Sequence, residues 1–151
     1  MRRFETLSEL AACAGQDVAV SDWVELTQQH IDGFADATGD RQWIHVDVQR
    51  AASGPFGAPI AHGLLTLSLI PHFVASALSV RQVRMGMNYG FDKVRFTSPV
   101  PVGSRLRGHL HLLQAGEVAP GTWQFGWKVS IEREGHAKPA CVAHWLCRWQ
   151  Q

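Results

Sequence analysis

The chain has 151 residues, 46% of them hydrophobic and 18% charged, which is the size of a single domain with a sizeable core. Fourteen basic and thirteen acidic side chains give a formal net charge of +1. This balance argues against a nucleic-acid-binding protein, which needs a basic excess on one face, and gives no support to membrane-surface binding. We therefore expect one domain spanning residues 1–151.

The cysteines and the apolar stretches indicate the cellular compartment expected for the protein. Cys13, Cys141 and Cys147 form an odd set without a close CxxC pair, so we expect reduced core thiols in a cytoplasmic protein and no metal site. The most apolar stretch, residues 64–80, contains a proline and a histidine. No signal peptide and no membrane span are expected.

The first half of the chain is predicted to be mostly helical. Residues 4–13 are expected to form a short helix that ends at Gly15, and residues 18–25 a strand. Thr27 is expected to cap a helix that Gly39 ends. The apolar face of that helix consists of Ile31, Phe34 and Ala35.

Residues 39–60 are rich in Asp, Gly and Pro, which predicts a long loop with one helical turn near residues 48–52. Residues 62–78 carry no charge. A helix that is apolar on nearly every side is usually enclosed, so this segment predicts a long buried helix.

The second half changes to the two-residue period of strands. Strands are expected over residues 83–97, 105–112, 123–132 and 139–149, with Pro99 and Pro101 marking a turn. The last strand is apolar on both faces and is expected to be central in the sheet. The fold class is therefore α+β, an antiparallel meander packed on a helix and joined by the early strand.

The loop motif at residues 39–47 reads GDRQWIHVD and contains a candidate acid–base pair. Asp40 and His45 lie five residues apart, so a carboxylate and an imidazole can converge on one water. Alone, this spacing is more typical of a turn or a helix cap. Asp47, two residues further on, is interpreted as a cap for the next helical turn.

A second motif, residues 59–64 with the sequence PIAHGL, opens the apolar helix. Gly63 at a helix start leaves its backbone N–H exposed to an incoming oxygen, which suits a thioester carbonyl or its enolate. His62 either lines this site or caps and supports it. In isolation, the motif is more typical of a plain junction between a turn and a helix.

Taken together, these motifs resemble the MaoC-type hydratases, the hot-dog-fold family of (R)-specific enoyl-CoA hydratases. The resemblance continues in residues 87–96 (MNYGFDKVRF) and 99–103 (PVPVG), which are similar to the NodN-like branch of that family. It covers nearly the whole chain. The family's fold is a sheet wrapped around a long central helix, which residues 62–78 would supply.

The resemblance implies that Asp40 and His45 are the catalytic pair and that the Gly63 N–H binds the thioester oxygen. In many hydratases, the second residue after the catalytic Asp is Asn and the third is Pro. At these two positions this chain has Gln42 and Trp43. Gln42 keeps an amide that could orient the water or the loop. The resemblance also implies a homodimer and an acyl thioester of coenzyme A or acyl carrier protein, without a separate cofactor.

Other polar candidates have simpler explanations. His109 and His111 share a strand face but have no third ligand in view, which favours two solvated histidines. The basic residues Arg81, Arg84, Lys93 and Arg95 could contact coenzyme A phosphates or form a solvated face. The Trp residues of the last two strands are expected in the core or a dimer interface.

Two other functions fit the same fold. An acyl-CoA thioesterase would release free coenzyme A, but that class generally lacks the Asp-x₄-His pair followed by Ala-His-Gly. A non-catalytic acyl-thioester-binding subunit would bind crotonyl-CoA without consuming its conjugated double bond, and the Gln42-Trp43 departure keeps this function open.

Overall fold

The computed structural model describes residues 1–151 and contains six helices and eight strands. The helices are α1 (Leu7–Ala11), α2 (Gln28–Thr38), α3 (Trp43–Val46), α4 (Val48–Ala52), α5 (Gly63–Ser68) and α6 (Ile70–Ala77). The strands are β1 (Arg2–Phe4), β2 (Gln16–Val20), β3 (Val24–Glu25), β4 (Leu78–Val80), β5 (Met85–Phe96), β6 (Arg105–Ala119), β7 (Thr122–Arg133) and β8 (Cys141–Gln150). None of the helices combines the length and the apolar character needed to span a membrane.

The main sheet is antiparallel, with the strand order β2-β6-β7-β8-β5 and β3 also paired with β6. The α+β class is confirmed, as are the internal position of β8 and the pairing of the early strand with the sheet. The prediction of a four-strand meander is wrong for one member. Only β6, β7 and β8 follow one another, while β5 pairs with β8 at the far end of the sheet.

The segment between β5 and β6, which contains Pro99 and Pro101, explains this topology. Instead of making a tight turn, it pairs with the chain ahead of α5. Ala61 N–H donates to the Val100 carbonyl and Val102 N–H to the Pro59 carbonyl, both at 2.8 Å. The connection therefore crosses in front of α5 before it reaches β6, and this crossing brings residues 97–100 close to the start of α5.

The long apolar helix predicted over residues 62–78 is two helices in series. Pro71 has no N–H to donate to Leu67 four residues earlier, and its ring crowds that carbonyl, so α5 ends at Ser68 and α6 begins at Ile70. The pair packs across the sheet. A Cβ placed on Gly108 of β6 would lie 2.9 Å from the Phe73 side chain, so α6 approaches the sheet where β6 has no side chain.

The N-terminal region differs in detail from the prediction. The helix expected over residues 4–13 covers only α1, because β1 pairs in parallel with β4 just after α6. The strand expected over residues 18–25 is divided into β2 and β3. Ser21, between them, is buried and its hydroxyl accepts the Gly108 N–H at 2.8 Å, which keeps this break against β6.

The core lies between the helices and one face of the sheet. On β7, Phe125, Trp127, Val129 and Ile131 are completely buried, as the alternation predicted. The three thiols are free and buried, as expected. Burial raises the pKa of Cys141 to about 11 and the pKa of Cys147 to about 12, so these thiols remain protonated core groups near neutral pH.

Candidate functional site

Helix α2 delivers the first site residue. Thr27 caps it by accepting the His30 N–H, and the His30 ring accepts the Thr27 N–H in return. Gly39 ends the helix with φ +79°, a left-handed conformation that favours glycine. Both boundaries are as predicted. Because the chain turns sharply at Gly39, Asp40 leaves the helix axis and enters the connector toward α3.

His45 lies on α3, a short helix where a loop was expected, and only 6% of it is exposed. Its Nδ1 lies 2.7 Å from the Ile60 carbonyl oxygen. Since a carbonyl only accepts, Nδ1 carries the hydrogen, and the neutral ring therefore has its lone pair on Nε2. The Ile60 N–H in turn donates to the Ile44 carbonyl at 3.0 Å, which fixes the two chain segments against each other.

His62 is 3% exposed and contacts both members of the predicted pair. Its Nε2–H donates to the Asp40 carbonyl at 2.9 Å, and its ring stacks on that of His45 with centroids 3.8 Å apart. The helix-cap alternative is not supported, because the His62 side chain makes no capping hydrogen bond to α5. Its Nδ1 is buried without a partner in the chain.

The polar atoms of Asp40, His45 and His62 lie within 4.8 Å of one another, although Asp40 is exposed and both histidines are buried. Three such groups at this spacing could hold a metal ion. Stacked rings, however, hold their lone pairs in nearly parallel planes, 25° apart here, which do not converge on one ion at about 2.0–2.1 Å. The arrangement suits proton transfer better than coordination.

A cavity of about 310 Å³ opens beside His45. It is lined by residues from the connector, the start of α5 and the crossing segment after β5. These include Ala61, Gly63, Thr66, Phe96, Ser98 and Val100. The structure thus places His45 and Gly63 on one cavity, while exposed Asp40 and buried His62 adjoin His45 without being among the lining residues.

Gly63 is the first residue of α5, where a backbone N–H has no acceptor within the helix. A Cβ at this position would lie 2.8 Å from ring atoms of Phe96, closer than real side chains pack. The Phe96 ring therefore lies directly on the Gly63 main chain, although Phe96 belongs to β5 and is 47% exposed. Glycine is required here by this contact, not by backbone conformation.

The remaining site candidate, Gln42, is not brought to the cavity. Its side chain is exposed and makes no hydrogen bond, while its carbonyl accepts the His45 N–H at 3.0 Å. The Asp47 cap is confirmed, because its carboxylate accepts the Arg50 N–H at 3.0 Å at the start of α4.

The other polar candidates lie elsewhere. His109 and His111 lie on the outer face of the sheet, where they contact Glu132 at 2.6 Å and Asp17 at 2.8 Å. Each is thus bound to a carboxylate and not merely solvated as predicted. The four basic residues considered for coenzyme A phosphates, Arg81, Arg84, Lys93 and Arg95, are all exposed. Arg81 pairs with Glu5 at 2.7 Å. The geometry therefore fits a solvated face.

Three site contributors escaped the sequence prediction: the Ile60 carbonyl, Thr66 and Phe96. A main-chain acceptor leaves no trace in side-chain identity, and Thr66 sits in an otherwise apolar helix. The signal for Phe96 was the glycine at position 63, since close approach of another group to the main chain is one reason for glycine at a helix start. Identifying the partner, however, needed the tertiary structure.

Comparisons with known proteins agree with this architecture. A family model described as "MaoC like domain" matches residues 9–121. The chain is 51% identical over 149 residues to the 3-hydroxyacyl-thioester dehydratase Z of Mycobacterium tuberculosis, covering 99% of both chains. It is 43% identical to nodulation protein N of Rhizobium meliloti, over 93% of this chain and 89% of that protein.

Among solved structures, the (R)-hydratase from A. caviae involved in PHA biosynthesis superposes with a TM-score of 0.70 at 21% identity, covering 89% of this chain and 94% of that one. This likeness confirms the predicted hot-dog fold, in which the sheet curves around the α5–α6 segment. On the family match and the identity to both relatives, this chain belongs to the MaoC-like family, in the NodN-like branch that its motifs predicted.

Proposed function

We propose that this protein is a hydro-lyase that reversibly adds water to a trans-2-enoyl thioester and forms the (3R)-3-hydroxyacyl thioester. The observation that carries the proposal is the fixed tautomer of His45. Its Nδ1–H is committed to Ile60, so Nε2 is left as the base of a residue that lines the cavity with Gly63 and has a ring nitrogen within 4.8 Å of an Asp40 carboxylate oxygen. The relatives named as a dehydratase and an (R)-hydratase support the same reaction class.

In the proposed hydration, one water lies between His45 and Asp40. His45 Nε2 takes a proton from the water while the hydroxyl oxygen adds to C3. The carbonyl oxygen becomes an enolate oxygen, which the Gly63 N–H stabilises, and protonated Asp40 gives its proton to C2. Transfer of the proton from His45 to Asp40 restores both groups. The protons also balance if Asp40 is the base and His45 the acid. Dehydration follows the same steps in reverse.

The neighbouring residues have supporting roles in this proposal. His62 sets the spacing of the pair, since it holds the Asp40 main chain with Nε2 and the His45 ring by stacking. Gln42 acts through its carbonyl, which begins the short helix that carries His45. An amide that orients the water would require its side chain to turn inward when the substrate binds.

The substrate brings the only non-protein group that this reaction needs, the coenzyme A or acyl carrier protein that carries the acyl chain. Lys93 and Arg95, which precede Phe96 closely in sequence, are exposed basic residues that suit either carrier. We also place the protein in the cytosol, where its free thiols would stay reduced.

A hydration assay with crotonyl-CoA tests the proposal. We expect the absorbance of the conjugated enoyl thioester to fall and chiral analysis to identify the (3R) product. Release of free coenzyme A thiol would indicate the thioesterase instead. Tight binding of crotonyl-CoA without loss of absorbance would indicate the non-catalytic binding subunit, and either result would contradict the proposal.

We further propose that the protein is a homodimer joined along β5. One edge of β5 pairs with β8 and the other is free over a 12-residue strand. The strand exposes Met85, Met87, Tyr89, Phe91 and Phe96, each between 40% and 56% exposed. A long apolar edge is a template for pairing, and a second copy can meet it about a two-fold axis.

Sedimentation analysis tests the dimer. Wild-type protein should sediment as a dimer, and Tyr89→Lys should weaken the association because it places a charge in the interface. A wild-type monomer at micromolar concentration would contradict this proposal and leave the hydratase proposal intact.

A further inference from the structure

Gln28, the first residue of α2, reaches across to the main chain of His45. Its Nε2 lies 2.8 Å from the His45 carbonyl oxygen and 2.9 Å from Asp32 Oδ1. Both partners only accept hydrogen bonds, so the orientation of the amide is determined: Nε2 donates to both, and Oε1 points away. Gln28 thus ties the beginning of α2 to the residue that carries the proposed base.

The remaining atom of this amide is poorly satisfied. Gln28 Oε1 is buried and has no hydrogen-bond partner in the chain. Only four side-chain polar atoms share this condition, and two of them, Gln28 Oε1 and His62 Nδ1, belong to side chains that touch His45. Burying an unpaired acceptor costs about 1–3 kcal/mol, which offsets part of what the two donated hydrogen bonds contribute.

We infer that Gln28 is a positioning residue for His45, an inference that rests on the proposed function. The His45 ring is held by the Ile60 carbonyl and by stacking on His62, and its main chain by the Gln42 carbonyl and Gln28. Gln28 is the one side chain that holds the His45 main-chain carbonyl, so without it this carbonyl can shift and carry the ring with it. Nε2 would then leave its alignment with Asp40 and the cavity, although the fold would persist.

The test replaces the amide by an isosteric apolar side chain. Gln28→Met removes both donors, and Gln29→Met is the matched control, because Gln29 is exposed on the next position and makes no side-chain hydrogen bond. We expect the kcat of Gln28→Met for crotonyl-CoA hydration to fall roughly 10- to 100-fold, the cost of a displacement of up to about 1 Å. KM and the melting temperature should match those of the control.

Gln28→Lys supplies the rescue. An ammonium group donates to both acceptors and pairs with Asp32, so it should recover a large part of the kcat that Gln28→Met loses. The inference would be overturned by equal kcat values for Gln28→Met and Gln29→Met. It would equally be overturned by a loss that follows the melting temperature, or by a Gln28→Lys variant no better than Gln28→Met.

A spectroscopic readout separates this inference from the proposed function. In the nitrogen spectrum of ¹⁵N-histidine-labelled protein, the His45 ring signals should shift in Gln28→Met and stay fixed in Gln29→Met. This comparison does not require turnover. An inactive wild type would therefore contradict the proposed function alone, whereas unchanged His45 signals in Gln28→Met would contradict the inference.

Discussion

The inner face of β7 and the two histidines of the largely exposed connector from Gly39 to His62 are buried, but they bury different chemistry. The β7 face is almost entirely apolar: Phe125 and Trp127 are completely enclosed, and the unpartnered Trp127 indole N–H is its buried polar atom. The connector instead buries two imidazoles that depend on main-chain carbonyls, and one ring nitrogen is left without a partner. Burial stabilises the first region and costs free energy in the second. Stability and chemistry should therefore respond to different substitutions.

The largest expected effect comes from the pair in the connector. His45→Asn keeps a donor near the position of Nδ1 for the Ile60 carbonyl but removes Nε2, and Asp40→Asn removes the ionisable group. Each should lower kcat for hydration by roughly 10²- to 10⁴-fold, the usual contribution of general acid–base groups. The measurement is steady-state turnover, with the melting curve recorded on the same samples.

His136→Asn and Asp22→Asn are matched controls, because both residues are exposed and neither side chain makes a hydrogen bond. They should keep wild-type turnover. The separation of the two regions fails if the Asp40 and His45 variants remain active, or if their lost activity is explained entirely by unfolding.

An intermediate effect is expected just after the connector, at the contact between Gly63 and Phe96. Gly63→Ala keeps the N–H but places a Cβ 2.8 Å from the Phe96 ring, so one of them must move. We expect kcat/KM to fall about tenfold through displacement of the amide. Gly63→Ala combined with Phe96→Ala should recover activity relative to Gly63→Ala alone, as a double-mutant cycle would show. A double variant as impaired as Gly63→Ala would mean that the ring contact is unimportant.

The smallest effect is expected on the outer face of the sheet. Hydrogen bonds from Arg107 and His109 hold the pKa of Glu132 below its ordinary value of 4.5. A carboxyl group with a depressed folded-state pKa stabilises the protein above its unfolded-state pKa, and this stabilisation is lost as the pH falls through the folded value. Glu132→Gln should therefore lower the free energy of unfolding at pH 7 by no more than about 1 kcal/mol.

Urea unfolding of wild type and Glu132→Gln at neutral pH and in acid checks this prediction. The difference between the two proteins should shrink as the solution is acidified. A difference that grows in acid would have the wrong sign. Turnover should be unchanged at neutral pH, because Glu132 lies on the face opposite the core and away from the cavity.

Local signals predicted the local structure well. Thr27 and Gly39 bounded α2, alternation identified the long strands, and the motif around Asp40 and His45 belongs to one connector whose ends the fold fixes. These features depend on residues close in sequence. Their catalytic roles stay predictions until the substitutions are measured.

The features that sequence could not predict are long-range. The pairing of β5 with β8 depends on the proline segment joining residues 59–61, and no local pattern reports that pairing. Pro71 is a local signal for the break between α5 and α6. The prediction of one long helix gave more weight to the apolar composition of residues 62–78. The hold of Gln28 on His45 joins positions 17 residues apart, and an amide at a helix start gives no hint of its partner.

The consecutive helices α5 and α6 are held by contacts at both ends. Phe96 presses on Gly63 at the beginning of α5, and β4, which follows Ala77 directly, is paired with β1. Adding one residue to an α-helix rotates everything beyond it by about 100°, which would carry Phe73 away from Gly108. Leu69 between the two helices keeps a helical conformation, and its carbonyl accepts the Phe73 N–H, so it does not absorb this rotation. Length variation anywhere in residues 63–77 should therefore be poorly tolerated.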